Sequence, residues 1–335
     1  MSMDDFRDLV DLASERLGGA ALAANDEFFA GRENLVKAAA PVFREGEYTD
    51  RGKWMDGWET RRRRDTGFDW CLVRLGLPGV IRGLVVDTAH FKGNFPQACS
   101  VEACEAPGQA DPATLAGAAT RWTEILARSE LGGDRENAFA IGNDSRFTHV
   151  RLNIYPDGGV ARLRVFGLVA PDWPRLLRAG GEVDLACVAN GGLVLLASDM
   201  FFGSRHNLIL PGRGRGMSDG WETRRRRGPG HDWAIVRLGR AGAIRRAEVD
   251  TAHFKGNAPG SCSIEVANAP DATAQRLAEA RDAWRELLPR TPLQPHTLHR
   301  LEEELARPGE ATHARLNIFP DGGVSRLRLF APITR

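Results

Sequence analysis

Hydrophobic and polar residues alternate along much of this chain, and the usual period is two. Val150, Leu152 and Ile154 are separated by Arg151, Asn153 and Tyr155. After Pro156-Asp157-Gly158-Gly159 the alternation resumes, with Leu163 and Val165 set between Arg162 and Arg164. Such a pattern around a glycine-containing turn predicts a β-hairpin with one buried face, the glycine supplying a positive φ. Short apolar runs at residues 69–75, 81–87 and 100–104 read as further strands. Helical spacing is brief. Leu277, Ala280, Trp284 and Leu287 predict one amphipathic helix, Leu115, Ala119, Trp122 and Leu126 another, and Leu298, Leu301 and Leu305 a further short one. Many short strands joined irregularly predict an all-β chain, a sandwich of jelly-roll type with short helices. With no βαβ alternation and no Gly-x-Gly-x-x-Gly loop, a nucleotide-binding sheet is not expected.

The pattern occurs twice. Asp56-Gly57-Trp58-Glu59-Thr60 and the arginines 61–64 return as Asp219-Gly220-Trp221-Glu222-Thr223 and the arginines 224–227. Residues 86–94, Val-Asp-Thr-Ala-His-Phe-Lys-Gly-Asn, return at 249–257, and Arg151-Leu152-Asn153-Ile154 returns as Arg315-Leu316-Asn317-Ile318 before the same turn. The copies lie about 163 residues apart, the size of a domain and far longer than a solenoid repeat. We therefore expect two jelly-roll domains, at residues 18–170 and 181–335, with a Pro- and Gly-rich linker at 171–180.

Charge narrows the partners. The 45 Lys and Arg nearly balance the 44 Asp and Glu, so no chain-wide field draws in nucleic acid or an anionic membrane. No apolar run reaches the length of a membrane span, and the acidic start lacks a signal pattern. The cysteines (Cys71, Cys99, Cys104, Cys187, Cys262) are odd in number, fall in strand-like runs and have no metal-type pairing, so buried reduced thiols are expected. These features predict a cytoplasmic protein.

Candidate chemistry sits in the duplicated charged segments. In an extended chain Arg61 and Arg63 share one face, as do Arg224 and Arg226, and a planar guanidinium fork suits a carboxylate. Asp87, His90, Lys92 and Asn94 fall where a buried strand runs into a loop, as do Asp250, His253, Lys255 and Asn257. An Asp87–His90 or Asp250–His253 dyad requires the chain to bend there, because extended residues three apart face opposite ways. Asp87, His90 and Glu102 are a conceivable metal set, although no metal-ligand spacing supports one. Arg151, Asn153 and Tyr155 form a polar strand face on which Phe319 replaces the phenol in the second copy.

Taken together, Asp-Gly-Trp-Glu-Thr-Arg-Arg, Asp-Thr-x-His-Phe-Lys-Gly-Asn and Arg-Leu-Asn-Ile-(Tyr/Phe)-Pro-Asp-Gly-Gly-Val resemble the allantoicase family, over residues 26–330 in both copies. The resemblance implies two jelly-roll, galactose-binding-like repeats, assembly into a homo-oligomer, and hydrolysis of allantoate to ureidoglycolate and urea in purine breakdown. It implies a small-molecule partner, with neither nucleic acid nor membrane. No cofactor is required by the sequence, and a divalent metal such as Mn²⁺ stays open. Under this reading His90 or His253 protonates the departing urea, Asp87 or Asp250 orients or deprotonates, and Lys92 or Lys255 holds the anion. Arg61/Arg63 or Arg224/Arg226 clamp the carboxylate, while Glu59, Glu222, Asn94 and Asn257 meet the ureido arms. The copies differ at Phe95/Ala258, at residues 65–68 against 228–231, and in the loop at 41–53, which is longer than its counterpart after Pro211. Which repeat works is open. The alternatives are a tandem ureide- or sugar-binding module without catalysis, with Trp58 and Trp221 as platforms, and a metal-dependent hydrolase of a related ureide.

Overall fold

In the computed structural model, which describes residues 5–280 and 282–333, the chain forms two units, Met1–Ala170 and Pro171–Arg335. Each is an antiparallel β-sandwich, so the all-β tandem architecture expected from the pattern is present. In the second unit one sheet has the order Leu193–Ala197, Asp232–Gly242, Ala311–Phe319, Ser261–Ala267, Arg285–Pro292. The other has the order Glu182–Asp184, Arg326–Pro332, Arg246–Asp250, Leu298–Leu301. The first unit repeats this order with one change. Its strand Asp69–Asp87 runs unbroken for 19 residues and serves both sheets. The first half pairs with Ala20–Ala24 and Arg146–Tyr155, the second with Arg162–Val169 and Glu136–Ala140. Val10–Asp11 adds to the edge of the second sheet, so residues ahead of Gly18 belong to this sandwich.

The expected hairpin is corrected. Arg146–Tyr155 pairs with residues 69–80 and with Ala98–Cys104, whereas Arg162–Val169 pairs with residues 79–87 in the opposite sheet. The Pro156-Asp157-Gly158-Gly159 segment is thus an arch between sheets, and period-two alternation cannot tell an arch from a hairpin because either buries the same face. Glycine is needed there as expected. Gly158 has φ +140, and a Cβ on Gly159 would enter the Phe91 ring.

The helices are also shorter than predicted. Only Pro112–Ala116 and Ala274–Glu279 are helical at those two places, and Thr123–Glu130, Arg285–Pro292 and Leu298–Leu301 are strands. Trp122 and Trp284 fold back over these short helices, their indole N–H groups donating to Leu115 O and Leu277 O at 3.1 and 3.0 Å. Apolar residues on a strand following a helix thereby imitate one longer helical period. No helix among the described residues is long and apolar enough to cross a membrane.

Val73, Leu84, Val86, Val101, Val150, Leu152, Ile154, Leu163 and Val165 from both sheets fill the first core. Trp58 and Trp221 are fully buried, and their indoles donate to Asp26 O and Asp199 O at 2.8 Å, so neither is a binding platform. All five cysteines are buried and free.

Two buried histidines escaped the sequence reading. His149 and His313 are each 1% exposed, and burial, with the charges of Arg74 and Arg237 adding to it, pushes the imidazoles down to about 4. In an unfolded chain they take up protons near the ordinary value of about 6.5. Between about 6.5 and 4 the unfolded state therefore binds more protons, so stability is whole above this window and is lost as pH falls through it. The loss reaches about 3 kcal/mol per imidazole at the acid end. We expect the urea midpoint to drop between pH 7 and pH 4.5, and to drop less in a His149→Gln/His313→Gln variant. A slope equal in the variant and the parent would contradict this assignment.

Candidate active site

Each charged loop begins where a core strand ends. Asp87 closes Asp69–Asp87, and its Oδ1 accepts the Ala89 N–H at 2.8 Å. Thr88 donates its hydroxyl to Gly132 O and Arg135 O at 2.6 and 2.9 Å, and Phe91, wholly buried, packs with Met55 and Ala161. These two anchors force the bend that a dyad would need. His90 has φ +69 and its counterpart His253 φ +73, left-handed conformations costing a non-glycine residue about 1–2 kcal/mol.

The bend does not join histidine to aspartate. His90 Nε2 lies 3.4 Å from Pro41 O, and His253 Nε2 lies 2.8 Å from Gly214 O. Asp250 Oδ1 accepts the Ala252 N–H at 2.9 Å, and Oδ2 is 3.9 Å from Arg213 Nε. Both aspartates thus hold the turn. A carbonyl only accepts, so in the neutral imidazoles Nε2 carries the proton and Nδ1 is left as the basic nitrogen.

A cleft of about 460 Å³ in the first unit is lined by Phe43, Lys53, Met55, His90, Lys92, Gly93 and Asn94. Asn94 Nδ2 donates to Glu59 Oε1 at 2.7 Å, and Asn257 repeats this on Glu222 at 2.6 Å. Burial pushes the Glu59 carboxyl up, although the Asn94 amide favours its charged form. Burial likewise raises Asp87, against the Ala89 N–H, and the charge of Glu136 adds to the rise. Lys255 is exposed and Asn257 half-buried.

Lys53, Phe43 and Met55 were not read from the sequence as site residues. They belong to the segment around the longer 41–53 loop, one of the differences that set this copy apart in the sequence. Lys53 lies over the Phe43 ring at 4.4 Å, and Phe43 faces His90 at 5.7 Å between ring centres. The loop is tied down by Asp56, which accepts the Val42 N–H at 3.1 Å and pairs with Lys37 and buried Arg162 at 3.1 and 2.7 Å. Burial alone would raise Asp56, but these hydrogen bonds, Arg162 foremost, outweigh it and hold the carboxyl below its usual range.

The arginines stand apart from this cleft. The run at 61–64 is not a strand, and all four of its arginines line one surface cleft, with Arg61 largely exposed and Arg63 partly buried. Arg61 binds Asp26 at 2.6 Å, while Arg63 binds Asp69 at 2.9 Å and its backbone N–H donates to Asp157 at 2.8 Å. Together they line a separate cleft of about 590 Å³ with Asn25 and Asp65. In the second unit Arg224 binds Asp199 at 2.9 Å, and Arg226 binds Asp232 and, through its backbone, Asp321. Asp250 lines a small cleft of about 180 Å³ with Arg213, Glu248, Arg326 and Arg328.

The conceivable metal set is not assembled. Glu102 is engaged by Arg151 and Asn153 at 2.7 and 3.0 Å on the outer face of its sheet, an arrangement repeated by Glu265, Arg315 and Asn317. Among the described residues no three His, Cys, Asp or Glu side chains are placed to hold a metal ion.

A family model described as the allantoicase repeat matches residues 10–170 and again 183–334, which together are most of the chain. The chain belongs to the allantoicase family. It is 51% identical over 326 residues to a probable allantoicase of Photobacterium profundum, covering 97% of both chains. To a probable allantoicase of Pseudomonas paraeruginosa it is also 51% identical, covering 97% of this chain and 96% of the relative. Among solved structures it matches the allantoicase of Saccharomyces cerevisiae with TM-score 0.82 and 37% identity, over 98% of this chain and 96% of that one. The matches run through both repeats, so the tandem sandwich is a family feature.

Proposed function

We infer that this protein hydrolyses allantoate to ureidoglycolate and urea in purine breakdown. The observation that carries this reading is the family match through both repeats, at 51% identity over nearly the whole of curated relatives. Neither the binding-module nor the metal-hydrolase alternative has an observation in its favour. Purified protein given allantoate is expected to release one urea per ureidoglycolate, and intact allantoate after prolonged incubation would refute the assignment.

We place the reaction in the first-unit cleft, whose size suits a small ligand. Lys53 and Lys92 supply cations for the substrate carboxylate without first having to leave a buried partner. Asn94, braced by Glu59, meets a ureido arm. His90 takes a proton from water at Nδ1 as the oxygen displaces one ureido arm, the new C–O bond forming while that arm's C–N bond breaks. It then returns that proton to the nitrogen departing with urea, so water and allantoate account for every atom of the products. Asp87 keeps the loop in its bend. Glu222, Asp250, His253, Lys255 and Asn257 repeat the arrangement in the second unit without the lysine-bearing loop. For Arg61, Arg63, Arg224 and Arg226 we propose a framework role, since each guanidinium already donates to a carboxylate of its own unit.

This division has its own test. Lys53→Ala and Lys92→Ala are expected to raise KM several-fold with kcat nearly kept, the signature of lost substrate binding. Unchanged KM in both variants, with a raised KM in Arg61→Lys, would return the clamp to the arginines. The buried thiols support a reducing, cytoplasmic setting. The exposed side chains of Phe201 and Phe202, 65% and 61% accessible, support assembly with further copies of the chain, to be read from its mass in solution.

A further inference from the structure

Facing each left-handed histidine is a second residue in the same conformation. Asp134 has φ +54 and His296 φ +53, and these two occupy matching places in the two units. The backbone contacts match as well. Asp134 N–H donates to Phe91 O at 3.1 Å, and His296 N–H donates to Phe254 O at 3.0 Å. In return each side chain accepts the backbone N–H of the histidine. Asp134 Oδ1 accepts from His90 at 2.8 Å, and His296 Nδ1 accepts from His253 at 2.8 Å. The interlock is the same in both units, although the acceptor is a carboxylate in one and an imidazole in the other.

We propose that Asp134 is a positioning residue for His90, and His296 for His253. The proposal rests on the reading of His90 and His253 as the reacting imidazoles. The physical need is specific. A left-handed backbone turns its N–H away from the ladder that satisfied the strand before it, and only a side-chain acceptor from the facing loop meets it here. Without that acceptor the N–H turns to water and the residue relaxes toward the right-handed or extended region. The imidazole then leaves the position in which Nε2 addresses Pro41 O or Gly214 O, and Nδ1 no longer faces the substrate.

Asp134 has a second task that His296 cannot perform. Its Oδ2 lies 3.7 Å from Lys92 Nζ, so one carboxylate orients both His90 and Lys92. His296 accepts only while Nδ1 is unprotonated, and it offers Lys255 no negative charge. The two units thus share the backbone device and differ in the charge beside the lysine.

Five variants of the whole chain test this: Asp134→Ala, Asp134→Asn, His296→Ala and, as references, His90→Asn and His253→Asn. Asp134→Asn keeps an oxygen for the His90 N–H and removes the charge beside Lys92. We expect Asp134→Ala to lower kcat about tenfold, with His90 leaving its left-handed φ in a crystal structure of the variant. Asp134→Asn should recover most of kcat and raise KM. His296→Ala should release the His253 backbone in the same way. A kcat within twofold of the parent in Asp134→Ala, where His90→Asn abolishes turnover, overturns the proposal. So does a His90 φ near +69 in the Asp134→Ala structure. If His90→Asn and His253→Asn both keep full turnover, the reading of the site has failed instead, and the φ of each histidine in the alanine variants alone decides whether the facing residue positions it.

Discussion

His90→Asn is expected to reduce urea release at least about a hundredfold, within the range that one positioned acid–base group supplies. The asparagine amide has no basic nitrogen at Nδ1, so the proton of the attacking water has nowhere to go, and the departing ureido nitrogen leaves as a poor anion. The substitution is nearly isosteric and removes neither the Phe91 anchor nor the Thr88 hydrogen bonds, so the loop stays in place. KM should change little, because Lys53, Lys92 and Asn94 remain. His253→Asn is expected to have the smaller effect, since the second unit lacks the counterpart of Lys53. Initial rates of urea formation over a range of allantoate concentrations give both quantities. A larger loss in His253→Asn than in His90→Asn would move the working cleft to the second unit, and near-normal rates in both would remove the histidines from the chemistry.

Arg162→Ala is expected to be the most damaging single change to stability, at about 3–5 kcal/mol. Arg162 is 1% exposed and donates to Asp56 Oδ2 and to the carbonyls of Asp56, Ala161 and Ala39 at 2.7–3.0 Å. Truncation leaves the buried Asp56 carboxylate paired only with the half-exposed Lys37. The effect reaches function as well, because Asp56 fixes Val42 at the start of the loop that carries Phe43 and Lys53 into the cleft. Denaturant unfolding measures the first consequence, and KM for allantoate in the folded fraction measures the second. A loss below about 1 kcal/mol would mean that the pair is compensated by water. Arg326 and Asp219 repeat the pair at 2.9 Å, so Arg326→Ala should destabilise the second sandwich comparably.

The fold was largely legible because its signals are local or repeated. Strand alternation requires only neighbours, and duplication identified the segments whose charge a core does not explain. Glu59 and Asn94, both named from sequence, hydrogen-bond to each other, and His90, Lys92 and Asn94 line one cleft. The misreadings share one cause. The supposed hairpin at 156–159, the helices through Trp122 and Trp284, and the Asp87–His90 dyad all depend on what lies across from a residue. A period of two is the same in an arch and a hairpin, and a tryptophan about five or six residues beyond a helix keeps helical spacing even when a strand starts at the next residue. The clamp expected of Arg61 and Arg63 follows the same logic. What each of these arginines meets is fixed by Asp26, Asp69 and Asp157, residues 35, 6 and 94 positions away.

The sequence by itself determined the architecture, the two-fold repetition and the family, since these reside in patterning and in motifs that neighbours along the chain can write. Only the tertiary structure decided which of the repeated charges remain free to act. Charges that look alike in sequence differ once folded, because burial and a partner from a distant loop turn Arg63 into a brace and leave Lys53 and Lys92 beside an open cleft. That choice depends on how far each group is desolvated and what it faces, quantities that exist only when the two sheets have closed.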